Sequence, residues 1–230
     1  MDDHIKWLGH SAFEISIDNK IMLIDPFLTG NPKATIKASE IQRVDIVCVT
    51  HDHHDHLGDS IELCRRLKAT FVGIYELGVY AQREGIDDVV AMNIGATVQV
   101  KGFKISMVPA FHSANRGAPV GFVVESGGIK IYHAGDTALF GDMQMIGRIY
   151  SPDVALLPIG GYYTMGPVEA VEAARFISPK VVIPMHYLTF PVLEQSAERF
   201  VRLLEDRVPH VRAVVLKPGE IYEYPKNQDF

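Results

Sequence analysis

Residues 48–59 read CVTHDHHDHLGD, in which residues 51–56 hold four histidines and two aspartates directly after an apolar run. Side chains two positions apart in an extended segment point to the same side, so His51 and His53 can meet one metal ion. Asp55 and His56 follow after the chain turns and can reach a second ion. Imidazole nitrogens and carboxylate oxygens are ligands that Zn²⁺, Mn²⁺, Fe and Ni²⁺ accept. A solvated histidine-rich loop is the alternative interpretation, although such tracts lack the preceding strand and the ordered spacing.

Three further polar residues follow apolar strands elsewhere in the chain. His112 comes after ISMVPAF, Asp136 after IYHAG, and His186 after VVIPM. Loops that follow strands present the reactive groups in sheets of this kind. We therefore expect these three side chains to complete two coordination shells with the histidine-rich segment.

The composition excludes several classes of protein. The chain has 230 residues, 22 Lys and Arg against 28 Asp and Glu, and 47% hydrophobic residues. This length predicts a single domain over residues 1–230, and the net charge of −6 disfavours bulk binding of nucleic acid. No apolar run approaches the ~20 residues that cross a bilayer, and the start MDDHIKWLGH does not resemble a secretory signal. Because Cys48 and Cys64 are too scattered for a disulfide framework, we expect a cytoplasmic protein with two buried thiols.

Hydrophobic patterning predicts an α/β (α+β) fold. Period-two alternation and short turns predict strands at residues 13–17, 21–24, 46–49, 96–100, 103–108, 121–125 and 129–132. Helices are then predicted at 141–150, 168–177 and 193–206, alternating with strands at 154–157, 181–183 and 211–216. A capping box of Asp59 and Glu62 predicts one more helix over residues 60–68. Such an order favours two sheets packed face to face with helices outside, an αββα layering.

The ligand candidates together resemble the metal-binding signature of the metallo-β-lactamase superfamily. Five phrases extend the resemblance over nearly the whole chain: WLGHS at 7–11, LIDPFLTGNP at 23–32, VTH at 49–51, YHAGDT at 132–137 and PMHY at 184–187. These phrases are similar to a small metal-dependent hydrolase family of that superfamily. A more distant similarity connects the chain to ascorbate-6-phosphate lactonase and to N-acylphosphatidylethanolamine phospholipase D.

The resemblance implies a four-layer αββα sandwich with two divalent metal ions at one edge, between the sheets. The implied ligands are His51, His53 and His112 for the first ion and Asp55, His56 and His186 for the second, with Asp136 bridging. We expect zinc, with manganese, iron or nickel as alternatives. β-Lactamases of this fold carry a cysteine where this chain has Asp136, which disfavours antibiotic hydrolysis.

The resulting hypothesis is a metal-dependent hydrolase in which a metal-bridging hydroxide attacks a small, anionic, phosphorylated or ester or lactone substrate. Asp55 and Asp136 are the catalytic candidates, Asp55 as the residue that orients the hydroxide and shuttles its proton. A phosphodiesterase or nuclease and a non-catalytic metal-binding scaffold are the alternatives. A homo-oligomer is compatible with the sequence.

Five more residues are candidates for supporting roles. Asp25 either accepts a hydrogen bond from a ligand imidazole or forms the turn before Pro26. His133 either supports the ligands in the same way or is a satisfied core residue, and His10 lines the site by resemblance. Arg116 either binds a substrate anion or lies in a solvated loop. Tyr187, next to His186, is the second substrate-binding candidate.

Overall fold

The first of two seven-stranded sheets contains both ends of the described chain. The computed structural model describes residues 3–224. The sheet has the strand order β14-β1-β2-β3-β4-β5-β6. Its strands are β1 (His4–Gly9), β2 (Ala12–Ile17), β3 (Lys20–Ile24), β4 (Ile46–Cys48), β5 (Thr70–Ile74), β6 (Val89–Met92) and β14 (Ile221–Glu223). Pairing is antiparallel from β14 to β3 and parallel from β3 to β6.

The second sheet has the order β13-β12-β11-β10-β9-β8-β7. Its strands are β7 (Thr97–Val100), β8 (Phe103–Pro109), β9 (Val120–Ser126), β10 (Ile129–His133), β11 (Val154–Pro158), β12 (Val181–Met185) and β13 (Arg212–Ala213). Pairing is antiparallel from β7 to β10 and parallel from β10 to β13. Each of the two sheets therefore has one antiparallel part and one parallel part.

Helices cover the outer faces of both sheets. They are α1 (His54–Leu57), α2 (Ser60–Leu67), α3 (Tyr75–Arg83), α4 (Met143–Tyr150), α5 (Pro167–Ile177) and α6 (Glu198–Arg207). Helices α2 and α3 pack on the first sheet, while α5 and α6 pack on the second and α4 packs on α5. The predicted αββα layering is confirmed. None of these helices is long and apolar enough to cross a membrane.

A single apolar core joins the two sheets. Every residue of β5, β11 and β12 is buried, as expected for parallel strands covered on both faces. The core also holds both cysteines, because Cys48 is 0% and Cys64 2% exposed. Burial raises the pKa of Cys64 to about 12 and that of Cys48 well above its usual range. The prediction of two buried, unpaired thiols is confirmed.

Three details of the predicted elements are wrong. Asp59 makes no side-chain cap for α2, because its carboxylate accepts the backbone N–H groups of Leu28 and Thr29 at 2.9 and 2.8 Å. Helix α6 begins at Glu198 instead of residue 193, since Glu194 is held outside the helix by a backbone hydrogen bond to Gly160 at 2.9 Å. The strand predicted at 211–216 pairs over only two residues.

The direction of the strands brings six polar residues to one end of the sheets. In the first sheet β1 and β3 are both antiparallel to β2, and β4 is parallel to β3. The carboxyl ends of β1, β3 and β4 therefore share an edge, and the residues that follow them include His10, Asp25 and His51. The same argument holds for β8, β10 and β12 in the second sheet, which lead to the remaining three: His112, Asp136 and His186.

The close approach of α4 to α5 predicts a sensitive glycine. A Cβ atom on Gly147 would lie 2.4 Å from the carbonyl oxygen of Ile177. We expect Gly147→Ala to lower the free energy of unfolding by about 1–3 kcal/mol, because overpacking outweighs the better helix propensity of alanine. Gly141→Ala, where the added Cβ meets nothing within 4 Å, is the matched control. Denaturant unfolding measures both, and equal stability of the two variants would contradict the prediction.

Candidate metal centre

The histidine-rich segment leaves β4 and turns sharply through α1. Gly58, at the end of α1, has φ +42°, and a Cβ atom there would lie 2.5 Å from the carbonyl oxygen of Pro26. Only glycine allows this approach, which the Asp59 N–H completes with a 2.9 Å bond to that carbonyl. The turn therefore presses the histidines against the residues that follow β3.

The first group of donors consists of His51, His53 and His112. Their ligand atoms lie within 4.8 Å of one another. His51 Nε2 is 2.9 Å from His53 Nδ1, and the ring of His112 lies 5.1 Å from both of the other rings. The three nitrogens therefore converge as expected for one metal ion.

The second group consists of Asp55, His56 and His186, joined by His10. These four ligand atoms also lie within 4.8 Å of one another. Sequence reasoning assigned His10 only to the lining of the site, whereas its Nε2 is 3.1 Å from Asp55 Oδ2. The structure thus places His10 in direct contact with the three donors that the pattern predicts.

Asp136 lies between the two groups. Its Oδ2 is 3.1 Å from His186 Nε2 and 3.2 Å from His56 Nε2. The same oxygen is 3.5 Å from His112 Nε2 and 4.0 Å from His51 Nε2. A single carboxylate oxygen therefore faces donors of both groups, as a bridging ligand would.

Burial and mutual proximity set the charges of these groups. Burial, followed by the charge of His56, lowers the pKa of His51 to about 2, so this imidazole is neutral. Burial, followed by the charge of His186, lowers the pKa of His10 to about 4. Burial alone would raise the pKa of Asp136, but His186 and His56 hold it well below the usual range. Burial alone would lower the pKa of His56, but the charges of Asp136 and Asp25 raise it well above the usual range. Metal ions bind ionised carboxylate and neutral imidazole, so an ion at His56 would take the place of a proton.

The orphaned polar atoms of the site fit divalent cations. Asp136 Oδ1 is buried without a hydrogen-bond partner among the described residues, and His56 Nε2, although 3.2 Å from Asp136 Oδ2, forms no hydrogen bond either. Polar atoms in a protein interior are almost always hydrogen-bonded, and exceptions need an explanation. A nitrogen and oxygen donor set that surrounds such atoms suits Zn²⁺ and the neighbouring first-row ions.

Comparisons with known proteins agree with this geometry. A family model described as "Beta-lactamase superfamily domain" matches residues 4–186. The UPF0173 metal-dependent hydrolase of Methanopyrus kandleri is 53% identical over 228 residues, which cover 95% of this chain and 99% of that protein. The chain belongs to the UPF0173 metal-dependent hydrolases of the β-lactamase superfamily. The resemblance seen in the motifs is confirmed.

Two other similar proteins extend the likeness. The UPF0173 metal-dependent hydrolase of Caldivirga maquilingensis is 50% identical over 224 residues, 96% of this chain and 98% of that protein. The solved structure of Igni18, described as a novel metallo hydrolase from the hyperthermophilic archaeon Ignicoccus hospitalis, has a TM-score of 0.92 and 37% identity. The match covers 98% of this chain and 99% of that one.

Asp25 occupies the position that the metal-ligand interpretation predicts. Its Oδ2 lies 2.7 Å from His56 Nδ1 and accepts the Thr50 hydroxyl at 2.6 Å, while Oδ1 accepts the Thr50 N–H at 2.8 Å. The carboxylate is 0% exposed and its residue has φ +49°. Asp25 therefore orients His56 so that Nε2 faces Asp136.

Two other predicted residues do not join the donors of this UPF0173 hydrolase. His133 donates from Nε2 to the Ser11 carbonyl at 2.9 Å and accepts the Gly135 N–H at Nδ1, which makes it a satisfied core residue. Tyr187 is 4% exposed, and its ring stacks on Trp7 at 5.2 Å. The tyrosine therefore packs beside the site without facing its opening.

Arg116 is held beside the first group by a residue that sequence reasoning passed over. The carboxylate of Asp52 accepts Arg116 Nη1 at 2.9 Å and the Asn115 N–H at 2.7 Å. The guanidinium also lies over the ring of Tyr80, 4.4 Å from its centroid. Asp52 thus connects the loop after His112 to the histidine-rich segment. The sequence indicates this role only through the position of Asp52 between two candidate ligand histidines.

Because the donors form two groups, we expect a variant that lacks one ligand residue to lose metal from the group to which that residue belongs. We expect His51→Ala and His112→Ala to lower bound metal from two equivalents to one or none, because each removes a donor from the first group. His54→Ala is the control, since the His54 side chain lies in the same segment but is 81% exposed. Elemental analysis after dialysis measures the stoichiometry. Full metal content in either ligand variant would contradict the assignment.

Because Asp25 holds the imidazole of His56, we expect Asp25→Asn to lower the affinity for metal. An asparagine has one acceptor oxygen where Asp25 has two, so it cannot accept the Thr50 N–H on one side and the His56 Nδ1–H on the other. Loss of such an outer hydrogen bond costs about 10–100-fold in metal affinity. Asp45→Asn is the matched control, because Asp45 also accepts a backbone N–H, that of Ile21 at 2.9 Å, but lies at the opposite end of β4. Chelator competition measures both affinities, and an unchanged affinity in Asp25→Asn would rule out this role.

Proposed function

We propose that this protein is a binuclear metal-dependent hydrolase that cleaves a small anionic ester, lactone or phosphorylated substrate. The observation that carries the proposal is the single oxygen of Asp136 that faces both donor groups, 3.1 Å from His186 and 3.5 Å from His112. Three imidazoles would hold the first ion, and Asp55, His56 and His186 the second. Zinc is the ion we propose, because the donors are nitrogen and carboxylate oxygen throughout.

Two divalent ions in such a centre lower the pKa of water and polarise the oxygen of the substrate. The chain itself orients the reactants. Burial alone would raise the pKa of Asp55, but the hydrogen bond with His10 and the charge of His56 lower it below the usual range. Asp55 therefore stays ionised and can accept a hydrogen bond from the attacking water. A carboxylate of low pKa orients water better than it stores a proton, so orientation is the role we propose.

An open pocket beside the first donor group supports a small substrate. It has a volume of about 430 Å³, within the range of small-ligand sites, and adjoins the loop that Asp52 anchors. Its lining residues are Tyr75, Glu76, Val79, Tyr80, Arg83, Asn115, Arg116 and Gly117. Two guanidinium groups in this lining suit a carboxylate or phosphate on the part of the substrate that does not react.

We also propose that the substrate has an apolar portion, because two aromatic side chains are exposed on loops near the site. Phe111 is 59% and Tyr162 is 76% exposed. Thr137, directly after Asp136, joins their loops by accepting the Phe111 N–H at its hydroxyl and the Met165 N–H at its carbonyl, both at 3.0 Å. The aromatic rings therefore belong to loops that meet next to the bridging carboxylate.

Turnover of model substrates tests the proposal. We expect zinc-loaded protein to hydrolyse p-nitrophenyl esters or a sugar-phosphate lactone, to lose that activity with a chelator and to regain it with added zinc. Asp136→Ala should lower kcat/KM by at least ~100-fold, because it removes the oxygen shared by both groups. His54→Ala should retain full activity.

The same assay separates the alternatives. Turnover of bis-p-nitrophenyl phosphate without any ester or lactone hydrolysis would replace this proposal with a phosphodiesterase. Absence of turnover on all three substrates, with two metal ions bound, would favour the non-catalytic scaffold.

A further inference from the structure

His10 is locked between the two sheets by its own backbone. It follows β1, is fully buried and has φ +58°. Its carbonyl oxygen accepts the Trp7 indole N–H at 2.9 Å and the backbone N–H of His186 at 3.0 Å. A non-glycine residue in the left-handed region persists only where its surroundings hold it there. Here those surroundings include a proposed ligand of the second ion.

The hydrogen bonds of the His10 ring determine where its proton lies. Nε2 is 3.1 Å from Asp55 Oδ2, and Nδ1 is 3.0 Å from the hydroxyl of Thr189. Because an ionised carboxylate can only accept, a direct hydrogen bond between these two groups places the proton on Nε2. Nδ1 then accepts from the Thr189 hydroxyl, whose single proton is shared between Nδ1 and the Tyr187 carbonyl oxygen, 3.2 Å away.

The ring also touches the other donors of the second group. Its centroid lies 4.1 Å from that of His186 and 5.6 Å from that of His56. Any tilt of His10 would therefore move Asp55 and His186 together.

We propose that His10 is a positioning residue for the second metal ion: its Nε2–H holds the Asp55 carboxylate in place, and Thr189 holds the ring. The inference rests on the proposed binuclear function. It separates His10 from the ligands, because a nitrogen that carries a proton for Asp55 has no lone pair for a metal ion. It also extends the site to Thr189, which none of the ligand motifs includes.

Two amide substitutions separate the two nitrogens of the ring. In His10→Gln the amide nitrogen reaches about as far as Nε2 and can donate to Asp55. In His10→Asn the amide reaches only as far as Nδ1, so it keeps the contact with Thr189 and loses the one with Asp55. Asparagine tolerates positive φ, so His10→Asn is the variant least disturbed in its backbone. His10→Ala removes both contacts.

Cobalt(II) titration tests the proposal without any substrate. Each protein is titrated with cobalt(II) in competition with a chelator, while the visible spectrum reports the ligands of each ion. We expect wild type to bind two equivalents, and His10→Asn and His10→Ala to bind the second about 10–100-fold more weakly with the first unchanged. His10→Gln should restore both the second affinity and the wild-type spectrum. Thermal unfolding of each variant establishes that it is folded.

The outcomes separate this inference from the function on which it rests. Wild type that binds only one equivalent overturns the binuclear function and the role of His10 with it. Two equivalents in wild type, with an undiminished second affinity in His10→Asn and His10→Ala, overturn the role of His10 alone. A weak second site in His10→Gln with an altered spectrum also overturns it, because that result identifies His10 as a ligand.

Discussion

The Asp136 carboxylate is 3% exposed and lies among imidazoles that come from two different sheets. A buried charge is costly unless it is paired or bound to a metal ion. Its position depends on the register of β10 against β9 and β11, and its partners depend on how the sheets pack. The strand ends of both sheets bring imidazole groups to this one oxygen.

The two sheets contribute unequal shares to that arrangement. The first sheet delivers its donors through one continuous segment, residues 51–56, which a tight turn at Gly58 folds back on itself. The second sheet delivers single residues from three separate strand ends. Backbone contacts between strand ends, such as the His186 N–H on the His10 carbonyl, connect these shares across the core. Packing between the sheets and binding of metal at their edge therefore depend on the same contacts.

Local patterns predict most of the strands and point to residues that the structure brings together, because both kinds of signal depend on neighbours in the sequence. Alternation identifies β2 and the tight connection identifies β3, while an apolar strand followed by a histidine identifies His112 and His186. Strand β5 escapes such reasoning, because Thr70 and Gly73 leave it only a short apolar run and it shows no alternation. Strand β14 pairs with β1, although nearly the whole chain lies between them in the sequence. No local pattern can predict such a pairing.

Contacts distant in the sequence account for most of what could not be predicted in the site. Asp52 and Arg116 are 64 residues apart, and His10 and Thr189 are 179 residues apart. The spacing of residues around Asp59 resembles a helix cap, yet tertiary contacts recruit its carboxylate to the loop after β3. Polar side chains near a site therefore have to be interpreted through the fold, since their sequence neighbours favour other roles.

The burial of Cys48 and Cys64 gives the protein a useful experimental property. A thiol that is both protonated and inaccessible reacts slowly with maleimides and iodoacetamide, since the thiolate is the reactive form. A new cysteine introduced on an exposed helix face would therefore be the fast-reacting thiol against these two. Spin labels or fluorophores could then be attached at chosen surface positions of the wild-type core, and loop movements around the opening could be followed by distance measurements without first removing the native cysteines.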